Sequence, residues 1–236
     1  MRLDIDLTQG KNSSKIFFTS DLHLFHNNVL RFDNRPFNDV HHMHAEIEKR
    51  WNDVVDDNDI VIFLGDLSFA KSCERDYVYG IMHSLNGKIH FVLGNHDKRE
   101  EIVKMDRFET VSDYLEVRIK EMLPNQSGTL AKTETLFCCM HYPIHTWNKK
   151  HHGSYMIHGH SHMSIVGFEK EWEDEFNKFI KYIPSLEKDN FSRLINQKKY
   201  YSNRVFDVGC MGCGYAPISH LEIIKNGADR IFGVHH

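Results

Sequence analysis

Several apolar runs in this chain end directly in residues of the types that bind metal ions. The runs are short and rich in β-branched or aromatic side chains, which is typical of buried strands. The segments that follow them are, in order, Asp21-Leu22-His23, Gly65-Asp66, Gly94-Asn95-His96-Asp97, His141 and Gly159-His160-Ser161-His162. Because ligands of layered α/β folds gather beyond the carboxyl ends of the strands, these side chains are expected to converge. The pattern predicts an α/β fold with a metal site on the loops at that edge.

Two amphipathic stretches separate the first three runs. Apolar residues recur at helical spacing at Met43, Ile47, Trp51 and Val54, and again at Val78, Ile81, Met82 and Leu85. The second stretch stops at Asn86-Gly87, a pair typical of a helix C-terminus. The later runs lack helical spacers long enough for a doubly wound sheet, so two facing sheets are predicted.

A stretch of about forty residues, 164–204, departs from this pattern. Large apolar residues recur there at helical spacing from Trp172 to Ile183, and Pro184 would end that helix. We therefore expect a single domain over residues 1–236 with a helical insertion at 164–204. The insertion would be a cap that selects substrates, a surface for oligomers, or a hairpin packed on the body. The last alternative is favoured because an amphipathic stripe usually covers core.

The composition is that of a soluble globular protein, with 41% hydrophobic and 26% charged residues. A formal net charge of −4 argues against nucleic acid as a partner held by a broad positive field, although local contacts stay open. Five cysteines, an odd number with two inside an apolar run, argue against a disulfide framework. We find neither a signal peptide nor a membrane-spanning run, so we expect a cytoplasmic protein without membrane partners.

The order and types of these polar residues resemble the calcineurin-like metallophosphoesterase superfamily, whose signature is D-x-H, G-D, G-N-H-D/E, H and G-H-x-H. The resemblance runs from about Lys15 to Ile224. A bacterial and phage subgroup with D-x-H-x-x-H-x-N and then N-R-P-F is similar to this chain at His26, Asn28 and Asn34-Arg35-Pro36-Phe37. The resemblance implies a β-sandwich of two mixed sheets flanked by helices, in four layers α/β/β/α.

The resemblance also implies two divalent metal ions. Carboxylate and amide oxygens together with imidazoles suit manganese, iron, zinc, cobalt or nickel better than soft copper or calcium, and manganese is our first expectation. Mapped by the resemblance, Asp66 bridges the two ions. One ion would be completed by Asp21, His23 and His162, and the other by Asn95, His141 and His160.

The chemistry implied is hydrolysis of a phosphate ester. Water bridging two such cations loses a proton near neutral pH, and the hydroxide attacks phosphorus in line with the departing oxygen. His96 is the expected general acid, as is the histidine of the G-N-H-D motif in the family. We expect Asp97 to hold the imidazole of His96 in one tautomer.

Two further residues are candidates for contacting the substrate. Arg35 would grip a phosphate with two parallel hydrogen bonds, and His26 lies at loop distance from the first motif. Equally open are a salt bridge from Arg35 to a surface carboxylate and a solvated position for His26 in its loop. Tyr142 or Trp147 would stack on a nucleobase or, as we favour, pack in the core.

Together these features predict a metal-dependent phosphoesterase that hydrolyses a small phosphorylated substrate, with a nucleotide or cyclic nucleotide as the first guess. The alternative enzyme is a nuclease of the same superfamily, but the chain has few basic segments interleaved with aromatic residues. The remaining alternative is a non-catalytic scaffold of this fold. A scaffold can lose its ligands or its general acid without penalty, whereas this chain keeps all seven candidate ligands and His96.

Overall fold

The computed structural model describes residues 1–8, 14–125, 127–162 and 204–229, with side chains up to residue 226. The strands are β1 (Arg2–Asp6), β2 (Ile16–Thr19), β3 (Ile60–Phe63), β4 (Lys88–Val92), β5 (Phe108–Ser112), β6 (Leu115–Pro124), β7 (Leu130–Cys139), β8 (Tyr155–His158), β9 (Val205–Asp207) and β10 (Ile218–Ser219). The helices are α1 (Val29–Phe32), α2 (Val40–Val54), α3 (Arg75–Ser84), α4 (Arg99–Lys104) and α5 (His220–Asp229).

The strands form two mixed sheets of five strands each. The first sheet has the order β1-β6-β7-β8-β9, and only its β6–β7 pair is antiparallel. The second sheet has the order β10-β2-β3-β4-β5, in which β2 to β5 are parallel and β10 is antiparallel. The crossovers between its parallel strands contain α2, α3 and α4. The predicted α/β class with two mixed sheets is therefore confirmed.

The second sheet is buried on both faces. In β2, Phe17 packs in a cluster with residues of α2 and α3, whereas Phe18 packs in a cluster between the two sheets. The ring centroid of Phe18 lies 5.2 Å from that of Phe137 in β7. Burial on both faces explains why its central strands, β2, β3 and β4, appear in the sequence as continuous apolar runs.

The outer face of the first sheet carries a smaller cluster of Leu136, Cys138, Met156 and Trp147. Trp147 is 6% exposed, and its indole N–H donates to the backbone and hydroxyl oxygens of Ser154. The favoured core position for Trp147 is therefore confirmed. The predicted insertion at 164–204 lies outside the described residues except for Arg204. The four-layer α/β/β/α arrangement stays a prediction.

The sequence predicts six of the ten described strands, the last of them at Val205-Phe206-Asp207-Val208, and misses four. Three of them, β1, β5 and β10, are edge strands, and β6 forms the long hairpin with β7. β6 alternates buried Leu115, Val117 and Ile119 with charged residues, which is the period-two signal of a strand with one polar face.

All five cysteines are free thiols, as predicted. Among the described helices, none is both long enough and apolar enough to cross a bilayer.

The packing between the sheets can be tested with Phe18→Ala. This change leaves a cavity between the sheets and is expected to lower the free energy of unfolding by about 3–5 kcal/mol. The matched control is Phe32→Ala, because Phe32 is 65% exposed and its removal is expected to cost less than about 0.5 kcal/mol. Urea denaturation followed by circular dichroism measures both. Equal losses for the two variants would contradict a close-packed interface.

Candidate metal centre

The seven candidate ligands meet where strands of both sheets end. Asp21 and His23 follow β2, Asp66 follows β3 and Asn95 follows β4, while His141 follows β7 and both His160 and His162 follow β8. Two groups have ligand atoms close enough to hold a metal ion: Asp21, His23 and His162 form the first group, and Asp66, His141 and His160 form the second group. The structure therefore brings together the residues that the sequence motifs selected.

In the first group, the Nε2 atoms of His23 and His162 lie 3.0 Å apart. Asp21 Oδ1 lies 3.8 Å from His23 Nε2 and 3.6 Å from His162 Nε2. Asp21 and His23 are buried, and the side chain of His162 is 27% exposed. One carboxylate oxygen and two imidazole nitrogens therefore face a common point near the surface.

In the second group, His141 Nε2 lies 3.5 Å from Asp66 Oδ2 and 3.0 Å from Asn95 Oδ1. The ring of His160 is exposed, and its centroid lies 5.2 Å from that of His141. Asp66 Oδ2 also lies 3.7 Å from His23 Nε2 in the first group. Asp66 therefore stands between the two groups, where the sequence analysis put a bridging carboxylate.

Five of the seven candidate ligands have a left-handed backbone conformation. Their φ angles are positive: 59° for Asp21, 50° for His23, 58° for Asp66, 64° for His160 and 47° for His162. For a residue other than glycine this conformation costs about 1–2 kcal/mol. Such strain persists only where the surrounding structure fixes the backbone, and it is typical of functional sites.

Glycines leave the space that the carboxylates occupy. A Cβ atom on Gly94 would overlap the carboxylate and backbone of Asp66, and one on Gly159 would overlap Ser20 and the carboxylate of Asp21. The φ angle of Gly94 is not left-handed, so close approach alone requires glycine there. Close approach of the backbone to the carboxylates therefore explains the glycines that directly precede Asn95 and His160.

Hydrogen bonds outside the two groups set the tautomers of two histidines. His141 Nδ1 donates to the backbone oxygen of Leu64 at 2.6 Å, and His162 Nδ1 donates to Asp33 Oδ1 at 2.8 Å. When these imidazoles are neutral, the lone pair of each therefore lies on Nε2, which faces the other candidate ligands. This is how histidines bound to a metal are usually held.

The pKa values in the centre reflect burial and opposing charges. Burial raises the pKa of Asp21 to about 6 and lowers that of His23 to about 3. Burial also lowers the pKa of His141, but its hydrogen bond and attraction to Asp66 outweigh that effect and raise the pKa overall. For Asp66, burial raises the pKa, yet hydrogen bonds from His141 and from the His96 backbone bring it below the usual value. Protons on such groups compete with a cation for the same positions.

Arg35 does not face the centre, contrary to the phosphate-gripping expectation. Its side chain is fully buried and donates to the backbone oxygens of Asp21 and Leu22, at 3.0 Å and 2.8 Å. It also pairs with Asp33 Oδ2 at 3.0 Å, so the alternative of a salt bridge to a carboxylate holds, although the carboxylate is not on the surface. Because every guanidinium nitrogen is used inside the protein, Arg35 supports the loop that carries Asp21.

Asp97 does not orient His96. The prediction that Asp97 holds the imidazole of His96 in one tautomer is therefore wrong. Its carboxylate accepts hydrogen bonds from the backbone N–H groups of Asp66, Leu67 and Gly94, at 2.8, 3.0 and 2.8 Å. Adjacent side chains in this turn point in different directions, so Asp97 joins the loops after β3 and β4. It therefore fixes the position of Asp66 and not the tautomer of His96.

The remaining predicted residues line the solvent side. His96 has a side chain that is 42% exposed, with Nε2 3.9 Å from Asp66 Oδ2. His26 is half-buried against Phe69, with ring centroids 4.1 Å apart. Tyr142 is 40% exposed, contrary to the favoured core position, and its ring centroid lies 4.7 Å from that of His160. His96 and Tyr142 are therefore accessible to a ligand, and a substrate contact by His26 stays a prediction.

The sequence analysis missed Asp33. This residue joins His162 to Arg35 through its two carboxylate oxygens, and it precedes Asn34-Arg35-Pro36-Phe37 directly. Burial raises the pKa of Asp33, but hydrogen bonding to His162 and Arg35 outweighs that effect and lowers the pKa. Its position beside the N-R-P-F motif was the only signal available, since nothing local links residue 33 to residue 162.

Asp33→Asn tests this supporting carboxylate. Loss of the negative charge weakens the orientation of His162, and the affinity for Mn²⁺ is expected to fall by about 10–100-fold. Asp57→Asn, at an exposed position in the α2–β3 loop, is the matched control and should bind Mn²⁺ as the wild type does. Isothermal titration calorimetry gives both dissociation constants. An unchanged constant for Asp33→Asn would remove Asp33 from the centre.

Gly94→Ala tests the space beside Asp66. The added methyl group would push the carboxylate of Asp66 aside, so we expect Mn²⁺ affinity to fall at least about tenfold and stability by about 1–3 kcal/mol. The control is Gly80→Ala in α3, where nothing lies within 4 Å of the new atom. That variant should gain up to about 1 kcal/mol and keep its metal affinity. Equal metal binding by both variants would contradict the predicted role of Gly94.

Comparison with known proteins gives relatives without an assigned activity. No family model matches the chain. A segment of 84 residues is 45% identical to the uncharacterized protein MJ1445 of Methanocaldococcus jannaschii, covering 36% of this chain but only 47% of that protein. The gene 66 proteins of Mycobacterium phages L5 and D29 are both 27% identical over 65% of this chain, and the matches cover 80% and 81% of their lengths.

A solved structure shares the fold. The crystal structure of AQ665, a protein of unknown function from Aquifex aeolicus, superimposes with a TM-score of 0.54 at 19% identity. The match covers 90% of this chain and 99% of that one. At this level of identity the likeness concerns the arrangement of sheets and helices alone. What the centre does must therefore be argued from its own side chains.

Proposed function

We propose that this protein is a metal-dependent phosphoesterase of the calcineurin-like metallophosphoesterase superfamily, which binds two divalent cations and hydrolyses a small phosphorylated substrate. One observation carries the proposal. Two adjoining groups of carboxylate and imidazole ligands open to solvent at the same edge, and Asp66 stands between them within 3.7 Å of His23 and 3.5 Å of His141.

The donors fit divalent cations of the manganese, iron or zinc kind. Carboxylate oxygens, an amide oxygen and imidazole nitrogens are the ligand types that these ions share. The neutral tautomers of His141 and His162 direct lone pairs toward carboxylate oxygens. Without a cation or a proton between them these electron-rich atoms repel one another, so the arrangement favours binding of positive charge.

Asp21, His23 and His162 would hold one ion, and Asn95, His141 and His160 the other, with Asp66 shared. Two cations bound in this way would lower the pKa of a water between them and neutralise the charge of a phosphoryl group. The open side of the centre is lined by Asn95, His96 and His160, which are all exposed. A small substrate would therefore approach from this side.

His96 would protonate the departing oxygen. Its backbone N–H donates to Asp66 Oδ1 at 3.0 Å, which fixes the main chain beside the proposed metal positions. Its imidazole is 42% exposed and therefore accessible from solvent. A general acid must reach the leaving group while the ions occupy the opposite side of the phosphorus, and an exposed imidazole next to a bridging carboxylate meets this requirement.

Asp66→Asn and His96→Gln separate metal binding from proton transfer. Asp66→Asn should lose Mn²⁺ affinity and turnover together, because the shared ligand loses its charge. His96→Gln should keep Mn²⁺ binding but slow esters with poor leaving groups by about 10²–10⁴-fold. Turnover is measured with Mn²⁺ on aryl and alkyl phosphomonoesters and diesters, cyclic nucleotides and a single-stranded oligonucleotide. Asp57→Asn is again the control.

Two results would decide against the proposal. If the wild type bound two equivalents of Mn²⁺ but hydrolysed no phosphate ester in the panel, the centre would not be that of a phosphoesterase. If Asp66→Asn bound Mn²⁺ as the wild type does, the metals would not lie where we place them. Preferential cleavage of the oligonucleotide would instead identify the nuclease alternative.

A further inference from the structure

Phe69 lies between two imidazoles at the rim of the candidate metal centre. Its ring centroid is 4.3 Å from that of His96 and 4.1 Å from that of His26, and the ring of the candidate ligand His23 is a further neighbour at 5.3 Å. The backbone N–H of Phe69 donates to the oxygen of Leu24 at 2.8 Å, next to a bridge between Leu24 and Ser68. The backbone of Phe69 is therefore fixed by the loop after β2, although the residue is 37% exposed.

Among the described residues, no carboxylate lies within hydrogen-bonding distance of the His96 imidazole. Asp97 is committed to three backbone N–H groups, and Asp66 Oδ2 is 3.9 Å from Nε2. An exposed imidazole would otherwise rotate freely about its side-chain bonds. A general acid that samples several orientations loses rate, because proton transfer requires its N–H to point at the leaving oxygen.

We propose that Phe69 is the positioning residue for His96, and that ring contact does here what a carboxylate hydrogen bond usually does. The ring of Phe69, tilted by 47° against the imidazole of His96, limits rotation of that imidazole. The stacked contact with His26, at an interplanar angle of 20°, keeps Phe69 itself from turning away. Phe69 does not touch the reacting atoms in this arrangement. The inference rests on the proposed function, since it assumes that His96 protonates the leaving group.

This role predicts a specific pattern of rates. Phe69→Ala should slow alkyl esters, which need protonation of the leaving oxygen, by about 10–100-fold, which is less than the roughly 10²–10⁴-fold expected when the general acid itself is removed. Esters of 4-nitrophenol need little protonation and should slow less than about threefold, and KM should change less than about twofold for both. Phe69→Leu keeps the apolar volume without a ring and should behave like Phe69→Ala. Phe69→Tyr restores the ring and should restore the rate.

Two controls separate positioning from general damage. Phe32→Ala removes a phenyl ring at an exposed position that contacts His26 only at its edge, with centroids 6.1 Å apart, and it should leave all rates unchanged. In the His96→Gln background, Phe69→Ala should cost less than about threefold more, because the group that it positions is already gone.

A second measurement does not depend on turnover. In NMR spectra of the zinc-loaded protein, the ring protons of His96 should carry a ring-current shift from Phe69. The shift should disappear in Phe69→Ala and Phe69→Leu, return in Phe69→Tyr, and persist in Phe32→Ala. Unaltered His96 resonances in Phe69→Ala would overturn the inference even if the variant were slow.

The outcomes also distinguish this inference from the proposed function. Equal slowing of alkyl and 4-nitrophenyl esters by Phe69→Ala would overturn positioning of the acid, as would additive losses in the His96→Gln background, while the phosphoesterase proposal would stand. A wild type that binds Mn²⁺ but hydrolyses no ester would overturn the proposed function, and with it this role of Phe69.

Discussion

The face-to-face packing of two mixed sheets is the constraint on which the rest of the structure depends. Phe18 and its neighbours bury one face of each sheet, so the strand ends of both sheets meet at one edge. The loops that carry Asp21 and Asp66 leave from the second sheet, and those that carry His141 and His160 leave from the first. Neither sheet alone contains either group of candidate ligands. The centre is therefore a property of the interface between the sheets.

Backbone strain and buried charge, which both lower the stability of a fold, are concentrated around that edge. The packing of the two sheets offsets their cost. Ligand residues have left-handed backbones, and two carboxylates are buried close to ring nitrogens. Asp33 and Arg35 form a buried pair beneath the first group, and Asp97 joins two loops through three backbone hydrogen bonds. These polar residues hold the candidate ligands in place, and their satisfied hydrogen bonds explain why they can be buried.

The candidate ligands could be selected from the sequence because metal binding restricts residue types at strand ends. The three central strands of the second sheet, β2, β3 and β4, were equally visible, since burial on both faces produces continuous apolar runs. The edge strands β1, β5 and β10 were not, because a half-exposed strand needs no such run. Arg35 and Asp97 were assigned by adjacency in sequence, but the direction of a side chain in a tight turn is fixed by hydrogen bonds formed at longer range. Asp33 and Phe69 depend on contacts that sequence spacing does not reveal.

Each group of candidate ligands contains residues from both sheets, and this has a thermodynamic consequence. A cation that bound Asp21 together with His162, or Asp66 together with His141, would be a crosslink between two sheets that pack mainly through apolar contact. Ligands scattered over more than a hundred positions come together only in the native state, so the unfolded chain offers no equivalent site. By mass action, an ion at 100 times its dissociation constant would add about 2.7 kcal/mol to the unfolding free energy. Cellular supply of the ion would then govern the lifetime of the protein as well as its chemistry.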